Sequence, residues 1–369
     1  MSTRKCIAIV GGGVAGLSPA WQLAKRGWEV HLFERDRLGG GASSRAAGML
    51  APVSEATFEE EELLQLGLRS LELYPRWVEE LAEHASRNLD YRRWNTLIVA
   101  VDRDDAEALE RLYGYYRRLD LDVKQLSGRQ VRKREPGLTP NINYGLLPLH
   151  DHQIDPGAMI EAMGRAFITA GGHLHEQTPV DAIELGDDGV EALRLEDGAR
   201  FETHFAVLAA GAWSSKIDGL PDRVLPHLRP IRGQVVAVAL GDPPLIQHVI
   251  RAPDAYLVPR GDGRLIVGST MEERGFDDRL TAGGVLDILT GAWEAVPGIY
   301  DAPILDMGTG FRPVTMANEP VVGATNIDGL YLSVGHGRGG ILMTPATGYG
   351  LAQIIDEQEI PSWLKPFSP

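Results

Sequence analysis

The chain begins with an apolar run of strand length, Cys6-Ile7-Ala8-Ile9-Val10, that ends in three glycines. Apolar residues then recur at Val14, Leu17, Trp21 and Ala24, the spacing of one helix face, and Gly27 closes the segment. A second run, Glu29 to Phe33, reads as a strand ending at Glu34. Two apolar strands joined through a helix by short connections form a βαβ unit, which predicts a buried parallel sheet. Further on, the pattern predicts a long amphipathic helix over 60–85 containing Leu63 and Leu64, a strand over 96–101 and a helix over 104–119. The basic stretch Arg129 to Arg134 reads as a solvated helix face. Asp155-Pro156-Gly157 opens a helix reaching about Ala170, with proline in its first turn. A strand over 205–210 follows and ends in Ala209-Ala210-Gly211-Ala212-Trp213. From Gly233 to Ser269 the pattern is antiparallel, and strands over 255–259 and 264–268 flank the hairpin signal Arg260-Gly261-Asp262-Gly263. A last strand over 329–334 runs through His336-Gly337-Arg338-Gly339-Gly340 into a helix ending near Asp356.

These elements imply an α/β fold: a doubly wound, Rossmann-like dinucleotide-binding domain interleaved with a substrate domain on an antiparallel sheet. The expected crossings assign 1–80, 146–220 and 318–369 to the first domain, and 81–145 and 221–317 to the second. A length of 369 residues is enough for two cores of this kind. The net charge of −15 opposes a nucleic-acid partner or an anionic membrane surface, both of which need clustered Lys and Arg. No stretch approaches the roughly 20 apolar residues of a membrane helix. The start, Met1 to Lys5, passes straight into the first apolar run, too short for a signal core, so a cytoplasmic protein is expected. Cys6 is the single cysteine, so no internal disulfide, no thiolate metal site and no metal is expected, and Cys6 is read as a small apolar residue inside the first strand.

Gly11, Gly13 and Gly16 form G-x-G-x-x-G after a strand and at the opening of a helix, and Glu34 follows at the end of the next strand. This is the full dinucleotide fingerprint. Gly11 allows the tight turn, Gly13 the approach of backbone to pyrophosphate, and Gly16 the packing of helix on strand. Glu34 can accept hydrogen bonds from ribose hydroxyls and would repel a 2′-phosphate. Pro19 departs from the pattern, since a proline in the first turns of a helix removes an N–H. The fingerprint alone does not separate NAD from FAD. The Gly/Ser-rich segment from Gly39 to Leu50, with no strand pattern, reads as a loop that can lie along a long cofactor.

With the Ser43-Ser44-Arg45-Ala46-Ala47-Gly48-Met49-Leu50 segment, Asp155-Pro156, Tyr256 to Arg260, Gly310-Phe311-Arg312-Pro313 and Gly335 to Leu342, the chain resembles the glycine oxidase branch of the D-amino-acid oxidase family over nearly its whole length. The resemblance implies non-covalent FAD, which makes the first domain FAD-binding. It places cofactor contacts on Val14, Ala15, Glu34, Arg35, Ala42, Ser43, Ser44, Ala47, Gly48, Met49 and Val180, and on His336, Gly337, Arg338, Gly339, Gly340, Ile341 and Leu342. It places the substrate carboxylate on Arg312 and Tyr256; Arg338 is the next candidate anchor, and Met271 reads either as a pocket wall or as a core methionine. No catalytic side chain is implied, because the expected step is hydride transfer to flavin from a neutral amine. The products are an imine and then a 2-oxo acid, with ammonia or amine, and H2O2 from O2. In this family the glycine imine can also feed thiamine thiazole synthesis. Asp254, Met307 and Asn318 depart from the family pattern on the substrate side, so glycine, sarcosine, larger N-carboxymethyl amines and D-amino acids stay open as substrates. A flavin-binding RNA-modifying or regulatory protein is the alternative of another class; the acidic balance opposes the first, the Arg312–Tyr256 pair the second.

Overall fold

β1 (Cys6–Val10) lies inside a six-stranded sheet, with β2 (Glu29–Phe33) parallel on one side and Ala206–Leu208 parallel on the other. His173–His175 adds parallel to β2, Leu330–Val334 adds parallel to Ala206–Leu208, and Val321–Ala324 closes that edge antiparallel. The computed structural model describes residues 5–93 and 96–369; the expectation about the start of the chain before Lys5 lies outside them. Ile7 and Ile9 point to a core shared with the helices, and Ala8, Val10 and Phe33 to a core under a three-stranded meander over residues 180–202. Covering on both faces is why β1 reads as a continuous apolar run.

α1 (Val14–Lys25) carries Pro19 as its sixth residue. The missing N–H leaves the Ala15 carbonyl without its helical donor. The Ser333 hydroxyl, on a buried strand, donates to that carbonyl at 2.8 Å. The same device recurs in the helix Gly340–Glu357, where Pro345 frees the Ile341 carbonyl and the buried Tyr74 hydroxyl donates to it. Ser333→Ala should therefore strand a buried acceptor and cost about 1–3 kcal/mol. Urea unfolding reads this directly, and an unchanged midpoint would mean that the Ala15 carbonyl finds another donor.

The second sheet has eight strands, in the order Ile304–Thr315, Leu228–Ala239, Arg264–Gly268, Tyr256–Pro259, Val249–Arg251, Thr96–Ala100, Tyr144–Pro148 and Val123–Ser127. It is antiparallel except where Val249–Arg251 meets Thr96–Ala100. The helices expected from the pattern form over Glu61–Ala82, Arg103–Arg118, Pro156–Thr169 and Gly340–Glu357. The Asp155 carboxylate caps the third of these by accepting from Ala158 N at 2.8 Å.

Four local expectations change. Gly39 to Leu50 is not all loop: Ala42–Arg45 is a short helix, and Met49–Leu50 pairs with His152–Gln153, a partner far away in sequence. The strand expected over 205–210 stops at Leu208, and a 3₁₀ turn, Gly211–Lys216, takes over. Ile304–Thr315, not foreseen as a strand, pairs along its length with Leu228–Ala239. Its Pro313 is tolerated because the strand is an edge and faces Pro230, so neither residue owes the other a donor. Tyr144–Pro148 straddles the crossing expected near residue 145, so the chain leaves the second sheet only after Pro148.

Candidate flavin and substrate cavity

A cavity of about 530 Å³ opens beyond the C-terminal ends of β1 and β2 and reaches the second sheet. Gly11, at φ +113°, makes the turn out of β1, and a Cβ there would run into the Ala209 backbone. Gly16 packs on the Gly11 carbonyl, so its part is helix–strand contact and it does not line the cavity. Gly13 is different. Only Ser43 Oγ, at 3.2 Å, would meet a Cβ there, and the backbone at Gly13 borders the open space. Val14 N, at the start of α1, donates to Ser43 Oγ at 3.2 Å, which brings the Ser43 loop to the positive end of the helix. The Glu34 carboxylate accepts from Gly12 N at 2.6 Å and from Asp36 N at 3.0 Å, so it is fixed in place at the cavity wall.

Of the residues expected at the cofactor, Gly11, Gly13, Val14, Ala15, Glu34, Arg35, Ala42, Ser43, Ala47, Gly48, Met49, Val180, His336, Gly337, Arg338, Gly340 and Ile341 line the cavity. Ser44, Gly339 and Leu342 do not. Ser44 is exposed and its hydroxyl turns to the Gly41 carbonyl at 3.4 Å. Gly339 and Leu342 border a small neighbouring hollow beside Glu60 and Leu63.

Arg312, Tyr256 and Met271 line the other end. The Arg312 side chain lies over Gly233, where a Cβ would meet Nη1 at 2.5 Å, and the Tyr256 ring lies over Gly268, where a Cβ would meet Cζ at 2.6 Å. Two residues without side chains thus seat the pair. Arg312 Nη1 donates to the Thr270 carbonyl at 3.1 Å and Nη2 to the Ser269 hydroxyl. Met271 lines the cavity at its rim and is 73 % exposed, so it is not a core methionine. Arg338 is not a spare anchor. Its guanidinium binds the Glu60 carboxylate and the Glu55 carbonyl, the latter at 3.2 Å.

Sequence reasoning missed three contributors. Trp213 lies under the Arg35 guanidinium at 3.8 Å, and both border the cavity. The Ala209-Ala210-Gly211-Ala212-Trp213 run was visible, but only the fold brings it to β2. Arg260 is buried and donates to the carbonyls of Ile154 (2.7 Å) and Ala47, which ties the Ala47-Gly48 segment to the second sheet. Arg251, paired with Glu55 at 3.2 Å, also stands on the wall.

His336 tests whether the residues present fit a flavin. It is fully buried beside Gly337, burial pushes its imidazole down to about 4, and neither ring nitrogen has a hydrogen-bond partner among the described residues. A neutral ring with orphaned polar atoms at a cavity wall is suited to a bound polar group. Together with the open backbone at Gly13, the residues fit FAD.

The fold and this cavity define a two-sheet flavin-dependent oxidoreductase. Residues 6–354 match the family described as FAD dependent oxidoreductase, and the chain belongs to that family and binds FAD. It is 32 % identical to glycine oxidase from Geobacillus kaustophilus, covering 100 % of this chain and 97 % of that one. The crystal structure of that relative superposes with a TM-score of 0.92, covering 100 % and 98 % of the two chains. The bifunctional protein ThiO/ThiG of Synechocystis sp. is 31 % identical over 100 % of this chain and 54 % of its own. The crystal structure of iminodiacetate oxidase from Chelativorans sp. is similar at a TM-score of 0.88 and 26 % identity, covering 98 % of each chain. Among the described residues no helix is long and apolar enough to cross a membrane.

Proposed function

We propose that the chain oxidises a small α-amino acid, glycine or an N-substituted glycine, with O2 as acceptor, and that Arg312 and Tyr256 hold the substrate carboxylate. One observation carries this reading. Among the described residues five arginines border the cavity, and four of them face an acid: Arg35 with Asp36 (3.1 Å), Arg45 with Asp306 (3.0 Å), Arg251 with Glu55 (3.2 Å) and Arg338 with Glu60. Arg312 has no acidic partner among the described residues; its bonds go to a carbonyl and a hydroxyl. A guanidinium held by neutral acceptors keeps its charge and part of its planar fork for an incoming carboxylate. Bound FAD supplies the two-electron oxidation; the protein binds, aligns and screens the amino acid. At the cofactor end, Gly11, Gly13 and Ser43 cradle pyrophosphate, Glu34 takes the ribose, and Val180 borders the adenine end. The segments 1–80, 146–220 and 318–369, with the second boundary moved past Pro148, serve FAD, and the remainder serves the substrate. The names of the glycine oxidase and iminodiacetate oxidase relatives support an amine substrate bearing at least one carboxylate. Oxygen uptake across glycine, sarcosine, larger N-carboxymethyl amines and D-amino acids tests the reading. Turnover should be confined to carboxylated amines, and equal turnover of amines lacking a carboxylate would overturn it.

A further inference from the structure

The parallel sheet gathers a set of donor atoms that sequence spacing hides. Cys6 stands opposite Glu29 across β1 and β2, and His31 stands opposite His173 in the outer strand. Alternation along the strands puts Cys6, Glu29, His31, His173 and His175 on one face. Cys6 Sγ, a Glu29 carboxylate oxygen and a His31 ring nitrogen all lie within 4.8 Å of one another. His31 Nε2 is 3.4 Å from Glu29 Oε1, long for a good N–H···O bond. That separation matches the edge of a tetrahedron, about 3.4 Å, built on metal–nitrogen and metal–oxygen bonds of about 2.0–2.2 Å. The other ring nitrogen, Nδ1, is 3.0 Å from His175 Nε2, and His173 stacks on the ring at 4.5 Å. A metal-binding imidazole is oriented in this way, through a hydrogen bond at its second nitrogen. The His31 side chain is 14 % exposed and Glu29 43 %, which leaves a path from solvent.

We propose that Cys6, Glu29 and His31 form a binding site for a borderline divalent transition cation such as Zn²⁺, with water as fourth ligand. One sulfur, one nitrogen and one oxygen suit such an ion better than Mg²⁺ or Ca²⁺, which take oxygen alone. Binding breaks the Cys6 S–H bond, releases the proton to solvent and forms a sulfur–metal bond, with no change in oxidation state. Thiolate and carboxylate then balance the dication. Without the ion, burial and the neighbouring Glu29 carboxylate both push the Cys6 thiol up, and the cation removes that conflict. None of the three residues lines the flavin cavity, and Cys6 and Glu29 begin their strands at the end opposite Gly11 and Glu34. The site therefore ties together the base of the sheet and takes no part in oxidation.

The test uses untagged, FAD-loaded protein stripped with a chelator and equilibrated by dialysis against micromolar Zn²⁺, with metal and flavin counted per chain. One zinc per chain is expected. Cys6→Ser and His31→Ala should each weaken binding by at least about tenfold. Glu29→Gln, at a more exposed position, gives the same readout if a histidine variant fails to fold. His150→Ala, at a surface histidine 3.5 Å from Asp122, should bind as the unsubstituted chain does. Zn²⁺ should also slow alkylation of Cys6. Equal zinc binding by the Cys6, His31 and Glu29 variants, substoichiometric binding by the unsubstituted protein, or an alkylation rate indifferent to zinc would each overturn the assignment.

Discussion

Replacing Arg312 with alanine is expected to raise the apparent KM for every carboxylated amine by roughly tenfold to 150-fold, the equivalent of about 1.5–3 kcal/mol for a charge-assisted bond. Flavin content and absorbance should stay near those of the unsubstituted protein, because Arg312 stands on the second sheet, whereas Gly13 and Glu34 follow strands of the first. Arg312→Lys should recover only part of the loss, since an ammonium cannot reproduce the fork. An amine without a carboxylate should be a poor substrate before the substitution and lose little more after it. The glycine seat offers a second probe that keeps the charge. A Cβ at Gly233 would sit 2.5 Å from Arg312 Nη1, so Gly233→Ala should push the guanidinium aside and raise KM in the same direction. If both amine types lose activity equally in Arg312→Ala, the residue is structural and the anchor lies elsewhere.

Glu34→Ala should weaken FAD binding by roughly tenfold to a hundredfold, from the loss of charge-assisted acceptor positions worth about 1.5–3 kcal/mol in all. Two contributions combine. The carboxylate is lost to the ribose, and the Gly12 and Asp36 amides lose the acceptor that holds the turn. Glu34→Gln keeps one neutral acceptor and should fall between. Once saturated with FAD, either variant should show a KM for the amino acid close to the unsubstituted value. Acid precipitation should release all flavin as FAD, because the chain's single cysteine is in β1 and does not line the cavity. Unchanged flavin affinity in Glu34→Ala would remove the most specific element of the fingerprint.

The elements whose pattern is local were legible in the sequence. β1, α1 and β2, the capped helix behind Asp155 and the final helix follow from apolar period, caps and glycine positions. What was not legible depends on partners remote in sequence. Met49–Leu50 becomes a strand only because His152–Gln153 lies beside it, and Ile304–Thr315 only because Leu228–Ala239 offers a long ladder. The residues of the cavity were readable through the fingerprint and the family resemblance, but their charge partners were not. Arg338 stood next in line to Arg312 until the fold placed Glu60 against it. Trp213, Arg260 and the donors around Cys6 carry no motif of their own, and their roles exist only once separate strands are adjacent.

The parallel sheet takes its strands from residues 6–33, 173–208 and 321–334, so its last parallel member is made long after its first. During synthesis, β1 and β2 leave the ribosome long before Leu330–Val334 and the His336 loop exist to complete the cavity. Flavin capture therefore waits for the last of these segments, and until then the nascent chain must keep an apolar half-sheet from sticking to its neighbours. Yield of soluble protein in a producing cell should accordingly depend on chaperone capacity while the half-sheet waits and on FAD supply once Leu330–Val334 has been made, two demands separated in time by the order in which the strands are made.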